Sequence, residues 1–318
     1  MNVMVLGGAG FIGSHLVDRL MAEGNSVTVY DNLSSGSKKF VEHHFKDSRF
    51  HFVQADILDL DTLNKAISGT DVVFHLAANP DARAGTINTR LDLELNTLVT
   101  YNVLESMRKN NVRKLIFTSS GCVYGELPYI PIDETYGPLK PISLYGASKL
   151  ACEGLISAFC ALFDMQAWIF RPGNVVGPRA THGVMFDLIK KLVKDSKTLE
   201  VLGDGNQTKP YIHVDDCIDG MLFGFQNGNE QVNILNLAVS SGTGVNEIVN
   251  LLLEMTGNKK TKVKFTGGKG GWRGDVPMVR IANRKLEQFG WKPRYTSDEA
   301  VRATIQSLIT EQYGVTLN

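Results

Sequence analysis

The sequence predicts an α/β protein, a doubly wound parallel sheet followed by a smaller mixed α/β C-terminal domain. Three observations predict it. Short apolar runs alternate with helical-period segments as far as about residue 171, the pattern of a parallel sheet covered by helices on both faces. Three glycines spaced three apart stand between the first run and the first helix. Gly7, Asp31, Ala77, Ser120 and Asn174 all fall at the C-terminal ends of runs, where open parallel sheets bind their ligands.

The run at 2–6 reads as a buried strand, and Gly7-Gly-Ala-Gly10-Phe-Ile-Gly13 leads from it into Leu16, Val17 and Leu20 at helical spacing. One glycine permits the tight turn, one lets the backbone approach a pyrophosphate, and one lets the helix pack on the sheet. The helix N-terminus then offers open N–H groups and positive dipole. The strand at 26–30 ends in Asp31, roughly 20 residues past the glycines, where an acid bonds the adenosine ribose hydroxyls. A carboxylate there repels a 2′-phosphate, so the cofactor expected is NAD rather than NADP. The sheet is then a Rossmann sheet of order 3-2-1-4-5-6.

A third strand at 50–54 precedes Asp56 and Ile57, placed to hold an adenine by hydrogen bonding and apolar contact. The fourth, at 71–76, runs into Ala77 and Ala78, small enough for a cofactor backbone to pass. A helix expected over 88–110 carries Asn96 as its polar exception, and the fifth strand at 114–118 leads to Ser119 and Ser120. On a helix over 143–163, Tyr145 and Lys149 lie one turn apart on one face. An adjacent ammonium favours phenolate and lowers the phenol from its usual pKa of about 10, which makes it a usable base. A sixth strand at 166–171 ends in Arg171-Pro-Gly-Asn174.

Past Asn174 the alternation breaks, with helices expected over 184–194, 245–256, 284–289 and 297–312 and a glycine-rich stretch at 267–275. The expected division is a dinucleotide domain over 1–173, rejoined by 211–238, and a second domain over 174–210 and 239–318. Lysine plus arginine equal aspartate plus glutamate, 33 each in 318 residues, so no net field draws nucleic acid or membrane. No apolar run is read as reaching the roughly 18 residues of a spanning helix, and the first strand starts too early for a signal peptide. Cys122, Cys152, Cys160 and Cys217 show neither metal nor disulfide spacing. His43 and His44 do not share a helix face and are read as solvated. A cytoplasmic protein without a metal is expected.

The set Gly7-x-x-Gly10-x-x-Gly13, Asp31, Ser120, Tyr145-x-x-x-Lys149 and Arg171-Pro-Gly-Asn174 resembles the extended short-chain dehydrogenase/reductase family over essentially the whole chain. Asp31-Asn-Leu-Ser-Ser-Gly36, Phe117-Thr-Ser-Ser-Gly-Cys-Val-Tyr-Gly125, Asn174-Val-Val-Gly-Pro178 and Tyr211-Ile-His-Val214 resemble its UDP-glucose 4-epimerase members. The resemblance implies NAD held by Gly7, Gly10, Phe11, Ile12, Gly13, Asp31, Asn32, Ser35 and Gly36 on the adenosine side. It adds Asp56, Ile57, Leu76, Ala77, Ala78, Asn96, Ser119, Tyr145 and Lys149. Tyr145 is then the acid/base, Lys149 bonds the nicotinamide ribose and lowers the phenol pKa, and Ser120 shares the bond to a sugar 4-hydroxyl. Oxidation at C4 gives a ketone that turns over and is reduced on its other face.

For a UDP-sugar substrate the resemblance implies Asn174 and Lys209 on the diphosphate, Gly183, Val184 and 200–202 (with Leu202) around uracil, and Asp275 on the ribose. Cys122 joins the sugar-facing set. Arg273 directly precedes Gly274-Asp275, a spacing that departs from the family pattern and leaves Lys269 as a competing phosphate ligand. Val279 stands where some members carry a bulky tyrosine, which implies room for an N-acetyl group. The helices over 88–110 and 143–163 resemble a family homodimer interface.

Three other readings are weighed. The family's dehydratases and decarboxylases carry acids just after the catalytic hydroxyl, and here those positions are Gly121 and Cys122. GDP-keto-sugar epimerase-reductases pair a cysteine at the Cys122 offset with a histidine near His182, but use NADPH, which Asp31 opposes. A silent dinucleotide-binding sensor has no need of both Tyr145 and Lys149.

Overall fold

The structure, a computed structural model, describes residues 1–126, 130–268, 270–272, 274–276 and 280–313, excluding the side chains of 312 and 313. It divides into two compact units. The first comprises Met1–Val123, Ser143–Arg171 and Met221–Leu235; the second comprises Tyr124–Ile142, Pro172–Gly220 and Asn236–Asn318.

The first unit begins with β1 (Asn2–Leu6), α1 (Phe11–Ala22), β2 (Ser26–Tyr30), β3 (Phe50–Val53), α2 (Leu60–Ala66) and β4 (Val72–His75). A π-helical turn over Leu93–Leu98 then leads into α3 (Val99–Lys109), followed by β5 (Lys114–Thr118), α4 (Leu144–Phe163) and β6 (Gln166–Pro172). The second unit supplies β7 (Asn174–Val176), α5 (Val184–Lys194), β8 (Thr198–Val201), β9 (Thr208–Lys209) and β10 (Tyr211–His213). α6 (Val214–Asn227) and β11 (Val232–Leu237) bring the chain back to the sheet. β12 (Thr243–Gly244), α7 (Val245–Met255), β13 (Lys262–Phe265), α8 (Arg284–Phe289) and α9 (Ser297–Tyr313) complete it.

Among the described residues the main sheet has seven strands in the order β11-β6-β5-β4-β1-β2-β3. The expected order 3-2-1-4-5-6 is present, extended by β11. Val3, Val5 and Leu6 pair in parallel with Val27, Val29 and Tyr30 on one side and with Val72, Phe74 and His75 on the other. Such strands are buried on both faces and so read as continuous apolar runs. Between β4 and β1 the chain changes its direction of winding, and Gly7 and Ala77 leave the sheet there.

α4 starts where Ser143, in extended conformation, accepts the Gly146 N–H at 3.1 Å, and it stops at Asp164 with φ 53°. Its length and composition alone would let it cross a membrane, contrary to the sequence expectation. It buries Ser148, Lys149, Cys152, Glu153, Ile156 and Cys160, and two charged residues on the inner face mark a core helix. Ile156 packs in one cluster with Met4, Leu6, Val103, Leu104, Phe117 and Ile169. Each such side chain contributes about 1.5–3 kcal/mol by leaving water.

The second unit has its own core, in which Leu188 and Ile189 of α5 meet Leu199, Tyr211, Ile248, Leu252 and Ile305. Two boundaries differ by ten residues or more from the sequence reading. Residues 124–142 group with the second unit, because Ile132 bridges Ile281 and the Tyr124 hydroxyl donates to Asn236 Oδ1 at 2.7 Å. The return to the first unit begins at Met221, not 211, because β10 pairs with β7 instead of with the main sheet.

Candidate active site

The dinucleotide cradle is built by backbone. Gly7 has φ 79°, and a Cβ there would stand 2.8 Å from the Ala77 nitrogen; a Cβ on Gly13 would meet the Gly7 carbonyl oxygen at 2.1 Å. Both positions therefore exclude side chains, as close helix–strand packing under a pyrophosphate requires. Gly10 caps α1 without a side chain, and the first intrahelical bond runs from Ser14 N–H to Gly10 O at 3.0 Å. The N–H groups of Phe11, Ile12 and Gly13 have no partner one turn back, which leaves a positive helix end for phosphate.

Asp31 is 8 % exposed. Its Oδ2 accepts the Ala9 N–H at 2.9 Å and its Oδ1 accepts the Leu33 N–H at 2.8 Å. Burial pushes its pKa up, while the two backbone bonds pull the other way. The carboxylate thus organises the loop as well as marking the strand end. Ser37 N–H returns to Ala9 O at 2.9 Å, folding Gly36 over the glycine turn; Ser35 remains exposed. Asn32 donates to Asp56 Oδ2 at 2.9 Å, and Leu58 N–H bonds Asp56 Oδ1. Ile57 is buried, while Leu76, Ala77 and Ala78 are half-buried behind β4.

Tyr145 and Lys149 project from the inner side of α4 as expected. Lys149 is 2 % exposed; its Nζ donates to Thr118 O at 2.9 Å and lies 4.8 Å from the Phe117 ring centre and 5.8 Å from that of Tyr145. Burial pulls the ammonium down to about 8, opposed by Cys152, Asp92 and Glu153. Ser120 hydrogen-bonds the Tyr145 side chain, which favours phenolate, and its Oγ also accepts the Cys122 N–H at 3.1 Å.

One expectation is corrected here. Tyr145 is pushed up, not down: burial dominates, with Cys122 and Asp92 adding to it, and the Ser120 bond offsets only part. The ring keeps some exposure, yet desolvation of the phenolate is the largest cause, while a Lys149 ammonium pulled down to about 8 stays mostly charged at neutral pH. Positive charge brought beside this phenol favours its ionised form.

Several supporting groups escaped sequence reading. Glu153 sits one turn beyond Lys149; its carboxylate receives Arg171 Nε at 3.0 Å and Nη2 at 2.6 Å, together with the Ser119 hydroxyl at 2.5 Å. Ser119 therefore faces the core pair. The i, i+4 repetition Tyr145, Lys149, Glu153 was the signal that could have found it. Asn96, on the π-helical turn, donates to Ser148 Oγ at 2.8 Å and to Asp92 Oδ1 at 3.3 Å and accepts the Asn79 N–H at 2.9 Å. Its polar atoms fasten α4 to the loop after β4. His75 is fully buried and pushed down to about 3 by desolvation, so it is neutral and structural.

In the second unit the Lys209 ammonium and the Asp275 carboxylate form an ion pair, and Asp275 Oδ2 accepts the Gly271 N–H at 2.9 Å. The two substrate candidates thus meet each other. Asn174 is exposed at the start of β7, Gly183 caps α5 with φ 100° beside Val184, and Leu202 is 39 % exposed after β8. Arg273, Val279 and Lys269 lie outside the described residues.

The model of the NAD dependent epimerase/dehydratase family matches residues 3–238. The chain belongs to this family. NAD is accordingly the cofactor of this epimerase/dehydratase, and the glycine cradle, the open α1 terminus and Asp31 fit it. A putative UDP-glucose 4-epimerase of Methanocaldococcus jannaschii is 34% identical over 309 residues, 95% of this chain and 97% of its own. A crystal structure of a UDP-galactose 4-epimerase is 37% identical with a TM-score of 0.87, covering 98% of this chain and 100% of its own. A Bacillus cereus UDP-glucuronic acid 4-epimerase, crystallised with UDP-glucuronic acid and NAD, gives 0.89 at 27% identity over 98% of this chain and 100% of its own.

Proposed function

We propose that this protein is a UDP-hexose 4-epimerase that interconverts UDP-glucose and UDP-galactose. The observation that carries the reading is Tyr145 with Ser120 on its oxygen and Lys149 over its ring, beside a cradle fit for NAD. Gly121 and Cys122 follow Ser120, so the carboxyl groups that lyase chemistry needs are not supplied there. Similarity to UDP-sugar 4-epimerases supports the same conclusion.

Bound NAD supplies the two-electron acceptor that takes hydride from C4 and returns it, with a positively charged oxidised ring. Tyr145 accepts the 4-hydroxyl proton as the ketone forms and gives it back on reduction. Ser120 holds the same oxygen, and the Lys149 ammonium favours the phenolate. Lys209 and Asp275 serve the diphosphate and nucleotide ribose, with Asn174, Gly183, Val184 and Leu202 toward the nucleotide. The short side chain of Val279 favours acceptance of an N-acetyl group at C2. A UDP-glucuronate substrate is the second reading, favoured by the fold match to the Bacillus cereus enzyme.

Purified protein is expected to release NAD at near-equal stoichiometry on denaturation and to convert UDP-galactose to UDP-glucose without added cofactor. UDP-N-acetylgalactosamine and UDP-glucuronate assayed alongside settle the substrate. Failure to equilibrate UDP-galactose with UDP-glucose would overturn the proposal, and turnover of UDP-glucuronate alone would favour the second reading.

A cytoplasmic homodimer is part of the same proposal. Leu93, Leu98, Tyr101, Leu144 and Leu162, on the π-helical turn, α3 and α4, are 43–72 % exposed, an apolar set that a second copy would cover. Light scattering should give twice the chain mass; a monomer at micromolar concentration sinks this part.

A further inference from the structure

We propose that Asp18, His43 and His44 bind a divalent transition-metal ion of the zinc class. Asp18 lies on α1, and the histidines lie on a 3-10 turn over Glu42–His44. The reading of His43 and His44 as merely solvated assumed an α-helical relation between neighbours. A 3-10 turn sets neighbours about 120° apart, yet both Nε2 atoms converge, 2.9 and 2.8 Å from one oxygen, Asp18 Oδ1.

The three ligand atoms lie within 4.8 Å of one another. Zinc-class bonds of about 2.0–2.2 Å set tetrahedral ligands about 3.3–3.6 Å apart, so the two Asp18–histidine contacts, now at hydrogen-bond distance, need open by only roughly half an ångström to admit an ion. The imidazoles are 4.0 Å apart between centroids and inclined at 44°. His44 is held against Phe50 at 5.6 Å, and Phe50 is stacked on Phe45 at 5.7 Å. The His44 ring is therefore set by packing before any ion arrives.

Side-chain exposures of 31 % for Asp18, 50 % for His43 and 17 % for His44 leave an entry path and room for water ligands. Two imidazoles with one carboxylate suit zinc, cobalt or nickel, whereas magnesium and calcium prefer all-oxygen shells. Coordination takes each ring as its Nδ1–H tautomer, freeing the Nε2 lone pair. α1 starts at the glycine turn, and the 3-10 turn closes the segment that leaves β2 at Asp31. An ion here fastens that segment to the helix under the cofactor.

The test is titration of the NAD-containing protein with Zn²⁺ against a chromophoric chelator. One saturable site per chain is expected, undisturbed by Mg²⁺ or Ca²⁺. Co²⁺ should give d–d bands without a thiolate charge-transfer band, which separates this site from Cys122. A His43→Gln/His44→Gln protein, matched to the wild type in Tm in EDTA, is expected to bind at least about tenfold more weakly. Wild-type affinity in that variant, or no saturable binding below millimolar zinc, overturns the proposal.

Discussion

A Tyr145→Phe protein is expected to lose about 10²–10⁴ in kcat, the range for removing a positioned acid/base group, or about 3–5 kcal/mol of transition-state stabilisation. KM and bound NAD should change little, because the ring and its packing remain. The companion Lys149→Met protein should show the acid limb of kcat displaced to higher pH. Its ammonium, pulled down to about 8 by burial, is a positive charge that favours the phenolate of a group whose pKa burial pushes up. Steady-state rates across pH, with nucleotide released and weighed against protein, check both. A Tyr145→Phe enzyme within tenfold of wild type would remove Tyr145 from the chemistry.

Unfolding of a Glu153→Ala protein is expected about 3–5 kcal/mol below wild type, the cost of leaving one member of a buried ion pair alone. Arg171 is 3 % exposed and Glu153 4 %, so a guanidinium that loses this carboxylate stays largely out of water. The buried Trp168, whose Nε1 donates to Gly228 O at 3.1 Å, lies in the same unit and reports its unfolding in denaturant. Glu153→Met/Arg171→Met should recover much of the loss, since two apolar groups leave no charge behind. A Glu153→Ala penalty under about 1 kcal/mol, the scale of an exposed pair, would show that the pair is effectively solvated.

The sheet was legible because strands buried on both faces, such as Asn2–Leu6 and Lys114–Thr118, leave uninterrupted apolar runs, and because a pyrophosphate turn demands glycine at Gly7 and Gly13. α2 was missed: it is seven residues long and buries only Leu63, too little for a period. Residues 124–142 were assigned by chain order, whereas their partners Ile281 and Asn236 are far along the sequence. Tyr145 and Lys149 were legible from spacing. The sign of the phenol shift was not, since it depends on how deeply the pair is enclosed. The shared contact of His43 and His44 with Asp18 was not legible, because Asp18 lies 25 and 26 residues earlier in the chain.

The widened turn at Leu93–Leu98 decouples two jobs along one rod. Each residue of a regular helix advances the azimuth by about 100°, so an extra residue in one turn resets everything after it. The portion before Val99 can aim Asn96 at Ser148, while Val99, Val103 and Met107 keep their own seam in the core. Polar alignment under the reacting helix and hydrocarbon fit beneath the sheet are thereby free to vary separately, although a single stretch of chain carries both.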